Sequence, residues 1–310
     1  MFIQKSKNGN NKFGAYLGTI IIVLIFSQLV GALPLVAVIL AFKVSGGAIA
    51  SSHIFNPVAM GIDQNFFLIL MIVPFVVGLL GLWFGITFIH KKKVLDVITG
   101  RNKLDWKRIF FGAFIWGVLF LISLFASYIS NPTSFEFQFQ PVKFIILFFI
   151  AFLFIPFQSS FEEIVFRGYL MQGISLIFKN KWVPLLLTSV LFGLMHIANP
   201  EIKEFGIAIM LPQYILLGLF LGIMVLMDDG LELAIGVHAI NNIFSALFIT
   251  HKSSVLQTPA LFKTNTINPE FELISLIIAC VIFIFIVSKK YKWASWKTLF
   301  KKVEFVEIAE

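Results

Sequence analysis

The sequence predicts an all-α polytopic membrane protein with about eight transmembrane helices and both termini in the cytoplasm. The chain is 59% hydrophobic and only 13% charged, with a mean hydropathy of +0.94. A soluble domain would be roughly 25% charged, so this composition excludes a water-soluble globule. The net charge of +8 comes from cations spread over several loops. Nucleic acid is therefore a poor candidate partner, because the cations form no basic soluble module.

Eight apolar stretches approach the roughly 20 residues that a helix needs to cross a bilayer. They cover residues 15–42, 66–89, 109–129, 142–161, 182–199, 206–227, 231–250 and 271–288. The first is overlong and contains Pro34, which predicts a kink or a tilt. It is also too long for a signal peptide, so we interpret it as an uncleaved span. The fifth and seventh stretches are short and carry polar residues.

The distribution of basic residues supports this span count. With eight spans, one side of the membrane receives 19 of the 24 Lys and Arg residues. The positive-inside rule makes that side cytoplasmic and favours a multi-pass protein of the plasma (inner) membrane. The 90–108 loop and the tail from Lys289 are basic and carry apolar residues, so we expect both to lie on the anionic inner leaflet. Asp228, Asp229 and Glu232 run against the trend, but acidic residues count little in this rule.

A few ionisable and amide side chains lie within the apolar helices. A charged side chain near the bilayer centre costs about 2.5–3.5 kcal/mol on insertion scales, so such residues are expected to be paired or functional. They form three groups on the fourth, fifth and seventh spans: Glu162, Glu163 and Arg167; His196; and His238 with Asn241 and Asn242.

The spacing within each group indicates what could interact. Glu163 and Arg167 are four residues apart and share a helix face, so they can pair. Glu162 is rotated by about 100° and points elsewhere. The alternative is that both glutamates pair with Arg167 or reach interfacial water. His238 and Asn242 also share a face, and they could equally form an interhelical hydrogen bond.

Taken together, the three groups contain the parts needed for peptide hydrolysis. A carboxylate and an imidazole can hold and deprotonate a water molecule. A second His and an Asn can stabilise the oxyanion that forms when this water attacks an amide carbonyl. Glu and His side chains could equally hold a catalytic Zn²⁺ with a bound water. The residues leave open whether the cofactor is Zn²⁺ or none.

Three short motifs resemble a known family. EEIVFR, FGLMH and HAINN are similar to the EExxxR, FxxxH and HxxxN motifs of the CPBP family, in the same order. This intramembrane protease group includes the type II CAAX prenyl endopeptidases and bacteriocin-immunity proteins. The resemblance covers residues 140–252 as a catalytic core. Residues 1–139 form an N-terminal region of about three spans, and residues 253–310 hold the last span and a basic tail.

The resemblance implies a role for each motif residue. Glu162 would activate water as the general base, and His196 would help to position it. His238 and Asn242 would form the oxyanion pocket. Glu163, Arg167 and Phe192 would support the site structurally. A metal, if present, would be held by Glu162, His196 and His238.

The expected function is therefore that of an intramembrane endopeptidase acting on a membrane-associated protein or peptide. The alternative is a non-catalytic membrane immunity or scaffold protein. A transporter is disfavoured, because the polar residues cluster in one part of the chain.

The span boundaries raise one geometric conflict. If the fourth span ends near residue 161, Glu162 lies at its cytoplasmic end, while His196 lies roughly 21 Å in from that side. The sequence therefore predicts either a fifth span that begins outside the bilayer or a fourth span that tilts or breaks near Pro156. We expect the site to open to the cytoplasmic half of the membrane.

Overall fold

The computed structural model describes residues 1–47 and 56–305, which form an almost entirely helical bundle. Its helices are α1 (Phe13–Leu24), α2 (Leu33–Val44), α3 (Gln64–Phe84), α4 (Val94–Ile98), α5 (Trp106–Ser130), α6 (Pro141–Glu163), α7 (Met171–Phe178), α8 (Trp182–Met195), α9 (Pro200–Phe205), α10 (Ile207–Asp228), α11 (Glu232–Phe248) and α12 (Pro269–Lys290). Three short strands, β1 (Phe135–Phe137), β2 (Ile249–His251) and β3 (Phe262–Thr264), complete the described chain.

Six helical runs in the described part of the chain are long and apolar enough to cross a membrane. These are Phe13–Val44, Gln64–Ile89, Trp106–Ser130, Pro141–Phe178, Ile207–Asp228 and Pro269–Lys290. The other two predicted spans are present as α8 and α11, with 14 and 17 residues. At 1.5 Å per residue they measure about 21 and 26 Å, less than the roughly 30 Å hydrocarbon core. The protein is thus an all-α integral membrane protein with six full-length helical runs and two shorter apolar helices.

The overlong first span changes its helical form just before Pro34. A π-helical turn, Ile25–Gly31, separates α1 from α2. Proline has no backbone N–H, and its ring clashes with the preceding turn, so the regular α-helical hydrogen bonds are interrupted there. This π-helical segment lies on the N-terminal side of Pro34, and the kink or tilt expected there stays a prediction.

The fourth helical run is longer than the predicted 142–161. Helix α6 continues through a π-helical segment, Ile164–Leu170, into α7, and the whole run of 38 residues ends at Phe178. Pro156 lies inside α6 without ending it. The prediction that this span ends near residue 161 is wrong, because the polar residues that made the segment look like a helix end are paired inside the protein instead.

The two termini lie on the same face of the bundle. The side-chain amide of Gln4 donates to the carbonyl of Glu304, and the backbone N–H of Val303 donates to the carbonyl of Lys179. The three strands lie at the opposite end of α5, where β1 runs antiparallel to β3 and β2 runs parallel to it. This arrangement agrees with an even number of crossings. Placing the shared face in the cytoplasm remains a prediction.

Two of the three acidic residues that opposed the charge trend, Asp228 and Glu232, form ion pairs. Arg101 lies 3.2 Å from Asp228 and 3.2 Å from Glu232, and Arg108 pairs with Asp228 and Asp105. These pairs tie the 90–108 loop to the turn between α10 and α11. The acidic residues there balance cations that sequence reasoning had assigned to the membrane surface.

The 90–108 loop consequently packs against protein along much of its length. His90, Lys92 and Val97 are buried, and the backbone N–H of Leu231 donates to the carbonyl of Ile98. The expectation that the loop lies on the leaflet therefore applies only to its exposed side chains, and it stays a prediction. The side chains that remain exposed are Lys91, Lys93, Asn102, Lys103, Trp106 and Lys107.

Close backbone packing fixes α5 against α11. Gly236 faces the carbonyl of Ile109 so closely that a Cβ on this glycine would lie 2.0 Å from the carbonyl oxygen, and Gly112 approaches Leu233 in the same way. Small residues let membrane helices come close together. This contact places Trp116 of α5 beside the polar face of α11.

Candidate active site

The residues of the first two motifs lie at similar depths, which resolves the conflict that the predicted boundaries created. Glu162 lies 17 residues before Lys179, where the fourth helical run ends. His196 lies 15 residues after Lys181, where the chain turns back into α8. At 1.5 Å per residue these distances are about 25 and 23 Å from the same turn. The two side chains are therefore almost level within the bundle.

His238 reaches the same level because the turn that precedes α11 is itself deep in the protein. Leu231, seven residues before His238, packs against Gly168, which is six residues after Glu162. Leu231 has no exposed surface, since the 90–108 loop covers it. The depth of this turn is a tertiary feature that hydropathy cannot show.

Glu163 is the centre of a buried charged group. Arg167 Nη1 donates to Glu163 Oε1 over 2.8 Å, and both side chains are fully buried. His238 Nδ1 lies 2.7 Å from the same oxygen. An ionised carboxylate only accepts hydrogen bonds, so His238 carries its proton on Nδ1. Glu163 thus orients the histidine of α11 as well as pairing with Arg167, a link that the helix spacing alone had not indicated.

Arg167 makes two further contacts that attach it to neighbouring helices. Its Nη2 donates to the carbonyl of Gly218 over 3.3 Å, and its guanidinium carbon lies 4.1 Å from the centre of the Phe192 ring. A cation over an aromatic face is attracted by the ring quadrupole. Arg167 therefore joins α6, α8 and α10 around the site.

Glu162 has one oxygen that is held and one that is free. Gln158 Nε2 donates to Oε1 over 3.0 Å. Oε2 is buried, has no hydrogen-bond partner within the described residues, and lies 3.6 Å from His238 Nε2. That distance is too long for a direct hydrogen bond, but it suits two groups that share a small third molecule. Glu162 therefore presents one oxygen towards an imidazole.

His196 lies at the C-terminal end of α8 between two aromatic rings. The Phe192 ring lies 4.7 Å away between centroids, and the Tyr214 ring stacks on His196 at 4.4 Å. His196 Nδ1 lies 2.7 Å from the carbonyl of Phe192, so Nδ1 is the protonated nitrogen and Nε2 can accept a hydrogen bond. Sequence reasoning missed Tyr214, because an aromatic residue in an apolar helix gives no signal of its own.

Asn242 and its neighbours connect the site to α5. Asn242 Nδ2 donates to Gln158 Oε1 over 3.4 Å, and Asn242 Oδ1 accepts from Asn241 Nδ2 over 3.2 Å. Asn241 Oδ1 accepts from the indole N–H of Trp116 over 3.1 Å. Both asparagines therefore belong to the hydrogen-bonded network that connects the site to α5. Gln158 and Trp116 were not predicted, although Gln158 lies one helical turn before Glu162 and could have been noticed on that spacing.

The residues expected to hold a metal do not form a metal site in this arrangement. Across residues 1–47 and 56–305, no three His, Cys, Asp or Glu side chains are placed to hold a metal ion together. His238 binds Glu163 through Nδ1, so its Nε2, which adjoins Glu162, is the ring nitrogen that a metal would use. Whether the cofactor is Zn²⁺ or none stays a prediction.

A surface cavity of about 510 Å³ lies away from these residues. It is shallow and mostly apolar, and it lies between the start of α10 and the start of α12. None of the motif residues lines it. The charged group described above, rather than this cavity, is the candidate active site.

Comparison with known proteins agrees with the motifs. A family model described as "Type II CAAX prenyl endopeptidase Rce1-like" matches residues 141–244. The chain is 34% identical over 194 residues to the "Uncharacterized protein YyaK" of Bacillus subtilis (strain 168), which covers 62% of this chain and 64% of that relative. No solved structure matches the chain. Residues 141–244 are therefore similar to the Rce1-like group of type II CAAX prenyl endopeptidases, in agreement with the CPBP resemblance of the three motifs.

Proposed function

We propose that this protein is an intramembrane endopeptidase that hydrolyses a peptide bond in a membrane-associated protein or peptide. The observation that carries the proposal is the unpartnered, buried Oε2 of Glu162, 3.6 Å from His238 Nε2 within otherwise apolar helices of the described chain. An ionisable group placed there is costly unless it is used. The match of residues 141–244 to a protease family supports the same conclusion.

Glu162 acts as the general base. Its Oε1 is held by Gln158, which leaves Oε2 to accept a proton from water. His196 helps to hold this water, because its free Nε2 accepts a hydrogen bond while Nδ1 is bound to the helix backbone. This division of roles between the two oxygens follows from which of them already has a partner.

His238 stabilises the oxyanion through Nε2. Since its Nδ1 carries a proton towards Glu163, donation from Nε2 requires the doubly protonated ring. Asn242 contributes as well, because its amide has two N–H groups and Gln158 takes only one of them.

In the proposed reaction water attacks the peptide bond directly, and no covalent enzyme–substrate intermediate forms. The water oxygen forms a bond to the scissile carbonyl carbon while its proton passes to Glu162. His238 and Asn242 bind the oxyanion of the tetrahedral intermediate. The C–N bond then breaks, and Glu162 returns the proton to the leaving amine. The products are a carboxylic acid and an amine, which exchange a proton to become a carboxylate and an ammonium group.

The surroundings of the site indicate the substrate and the compartment. The helices carry large exposed apolar side chains such as Leu153, Phe157 and Met195, so a substrate arrives from the bilayer rather than from bulk water. The exposed Lys residues of the 90–108 loop and Trp296 of the tail lie on one face and suit an anionic inner leaflet. We therefore place the enzyme in the plasma membrane, with this face cytoplasmic.

The decisive experiment compares membrane proteomes of cells that carry the wild type or Glu162→Gln. Peptides that change length between the two identify the substrate, and purified protein in lipid nanodiscs then cleaves the corresponding synthetic peptide. Removing a general base is expected to lower the rate by about 10²–10⁴-fold. Glu270→Gln, which alters a carboxylate beside the distant surface cavity, is the matched control.

The result also decides between the proposal and its alternative. If Glu162→Gln and His238→Ala insert normally and keep full biological activity, the protein is a non-catalytic immunity or scaffold protein and the hydrolytic mechanism is wrong. If both lose cleavage while the control retains it, the mechanism stands.

A further inference from the structure

Five side chains form a continuous hydrogen-bonded chain that ends on Glu162. The Trp116 indole donates to Asn241, Asn241 to Asn242, and Asn242 to Gln158. Gln158 then donates to Glu162 Oε1. The four distances are 3.1, 3.2, 3.4 and 3.0 Å in that order. The chain links α5, α11 and α6.

The two ends of this chain impose one direction on the amides between them. An indole N–H can only donate, and an ionised carboxylate can only accept. If the three amides were all reversed, Trp116 would face an NH₂ group and Glu162 would face a carbonyl oxygen. Both ends would then be repulsive. The orientation in which every amide donates towards Glu162 is therefore the only one that satisfies both ends.

The donor at the start of the chain is held firmly. Trp116 is 3% exposed, and its ring packs against Phe220 at 5.0 Å and Phe283 at 5.8 Å between centroids. The close contact of Gly236 with Ile109 sets the distance between α5 and α11. Trp116 lies outside residues 141–244, so the match to the family does not include it.

We propose that Trp116, Asn241 and Gln158 are positioning residues that fix the reactive orientation of Glu162. They occupy Oε1 and thereby leave Oε2 facing His238. Hydrogen bonds in series polarise one another, so the indole strengthens the bond that Gln158 makes to the carboxylate. The effect on catalysis rests on the proposed hydrolytic function. The hydrogen-bonded series of side chains is a property of the fold and does not depend on it.

The first test measures kcat and KM for Trp116→Phe, which keeps an aromatic ring and removes the N–H. We expect kcat to fall about fivefold, as for the loss of one neutral hydrogen bond, with KM unchanged. Trp293→Phe is the matched control, since that indole donates to Asp228 at the terminal face of the bundle. Equal activity of the two variants would overturn the inference.

A second variant separates positioning from space filling. Asn241→Asp keeps the size of the side chain and an acceptor for Trp116, but it has no N–H to donate to Asn242. We expect it to lower kcat at least as much as Trp116→Phe. Full activity in a variant that inserts normally would show that residue 241 only fills space.

A double-mutant cycle tests the chain independently of catalysis. Trp116→Phe and Gln158→Met do not share a contact, so their effects on the thermal midpoint should add unless the chain couples them. We expect Trp116→Phe to cost little once Gln158 is replaced, in both the midpoint and kcat. Additive effects would overturn the inference. If the wild type cleaves nothing, the proposed function fails. The double-mutant cycle measured in thermal midpoints still decides whether the hydrogen bonds couple Trp116 to Gln158.

Discussion

The buried pair of Arg167 and Glu163 provides the sharpest test of how this site is held together. Arg167→Met keeps most of the side-chain volume and removes the cation. The loss includes the charge-assisted bond to Glu163, about 1.5–3 kcal/mol, and the contact with the Phe192 ring, about 0.5–2 kcal/mol. Because a buried carboxylate remains unpaired by a guanidinium, we expect a total loss of about 3–5 kcal/mol in the free energy of unfolding.

A second substitution distinguishes stability from activity. Glu163→Met combined with Arg167→Met removes the whole ion pair, and apolar replacements of buried pairs are often close to neutral. We expect the double variant to recover at least half of the stability lost in Arg167→Met. It should not recover cleavage, because His238 no longer has the carboxylate that orients Nδ1.

The measurement is unfolding in mixed detergent micelles, followed by circular dichroism, with cleavage of a membrane peptide measured on the same preparations. Arg167→Lys serves as a control that keeps the positive charge. Its single ammonium group cannot replace the two guanidinium nitrogens that donate to Glu163 and to the carbonyl of Gly218. An Arg167→Met variant within about 1 kcal/mol of wild type would refute the reasoning, since that is an ordinary surface effect. So would a double variant that regains cleavage together with stability.

Three further predictions concern the metal, a buried lysine and the 90–108 loop. EDTA should leave cleavage unchanged, and active protein should contain less than stoichiometric zinc; stoichiometric zinc whose removal abolishes activity would contradict the mechanism. Burial lowers the pKa of the Lys92 ammonium from its ordinary 10.5 to about 8. The unfolded chain therefore binds more protons between pH 8 and 10.5, and stability rises through that window. Lys92→Met should remove this rise in the thermal midpoint, and identical pH profiles for both proteins would argue against it. Arg101→Leu leaves the fully buried Glu232 without its cation and should lower stability by about 1–3 kcal/mol, whereas Lys103→Leu, at an exposed position, should not. Equal unfolding curves for these two variants would show that the loop is held by other contacts.

The helices themselves are largely determined by local sequence. All eight predicted stretches are helical, because an apolar run of this length must satisfy its backbone hydrogen bonds internally. The boundary near residue 161 could not be predicted. Hydropathy treats Glu162 and Arg167 as polar and ends the span there, yet Arg167 is paired inside the protein and the helix continues to Phe178.

The sequence could single out the polar residues that the structure brings together, but it could not predict their connections. The four-residue spacing indicated that Glu163 and Arg167 pair, and the structure places them 2.8 Å apart. That Glu163 also holds His238 depends on how α6 meets α11, which no local pattern encodes. The catalytic roles of these residues remain predictions.

The sequence by itself determined the class of protein, the positions of the helices and the resemblance to a protease family, because each depends on local composition or on motifs along the chain. Only the tertiary structure decided the common depth of Glu162, His196 and His238, and which oxygen of Glu162 is free. Trp116 shows why. Its N–H donates to Asn241 of α11, 125 positions along the chain, and through the amides of Asn242 and Gln158 this bond reaches Glu162 of α6. Such a contact is set by the packing of helices, and its geometry exists only after they have assembled.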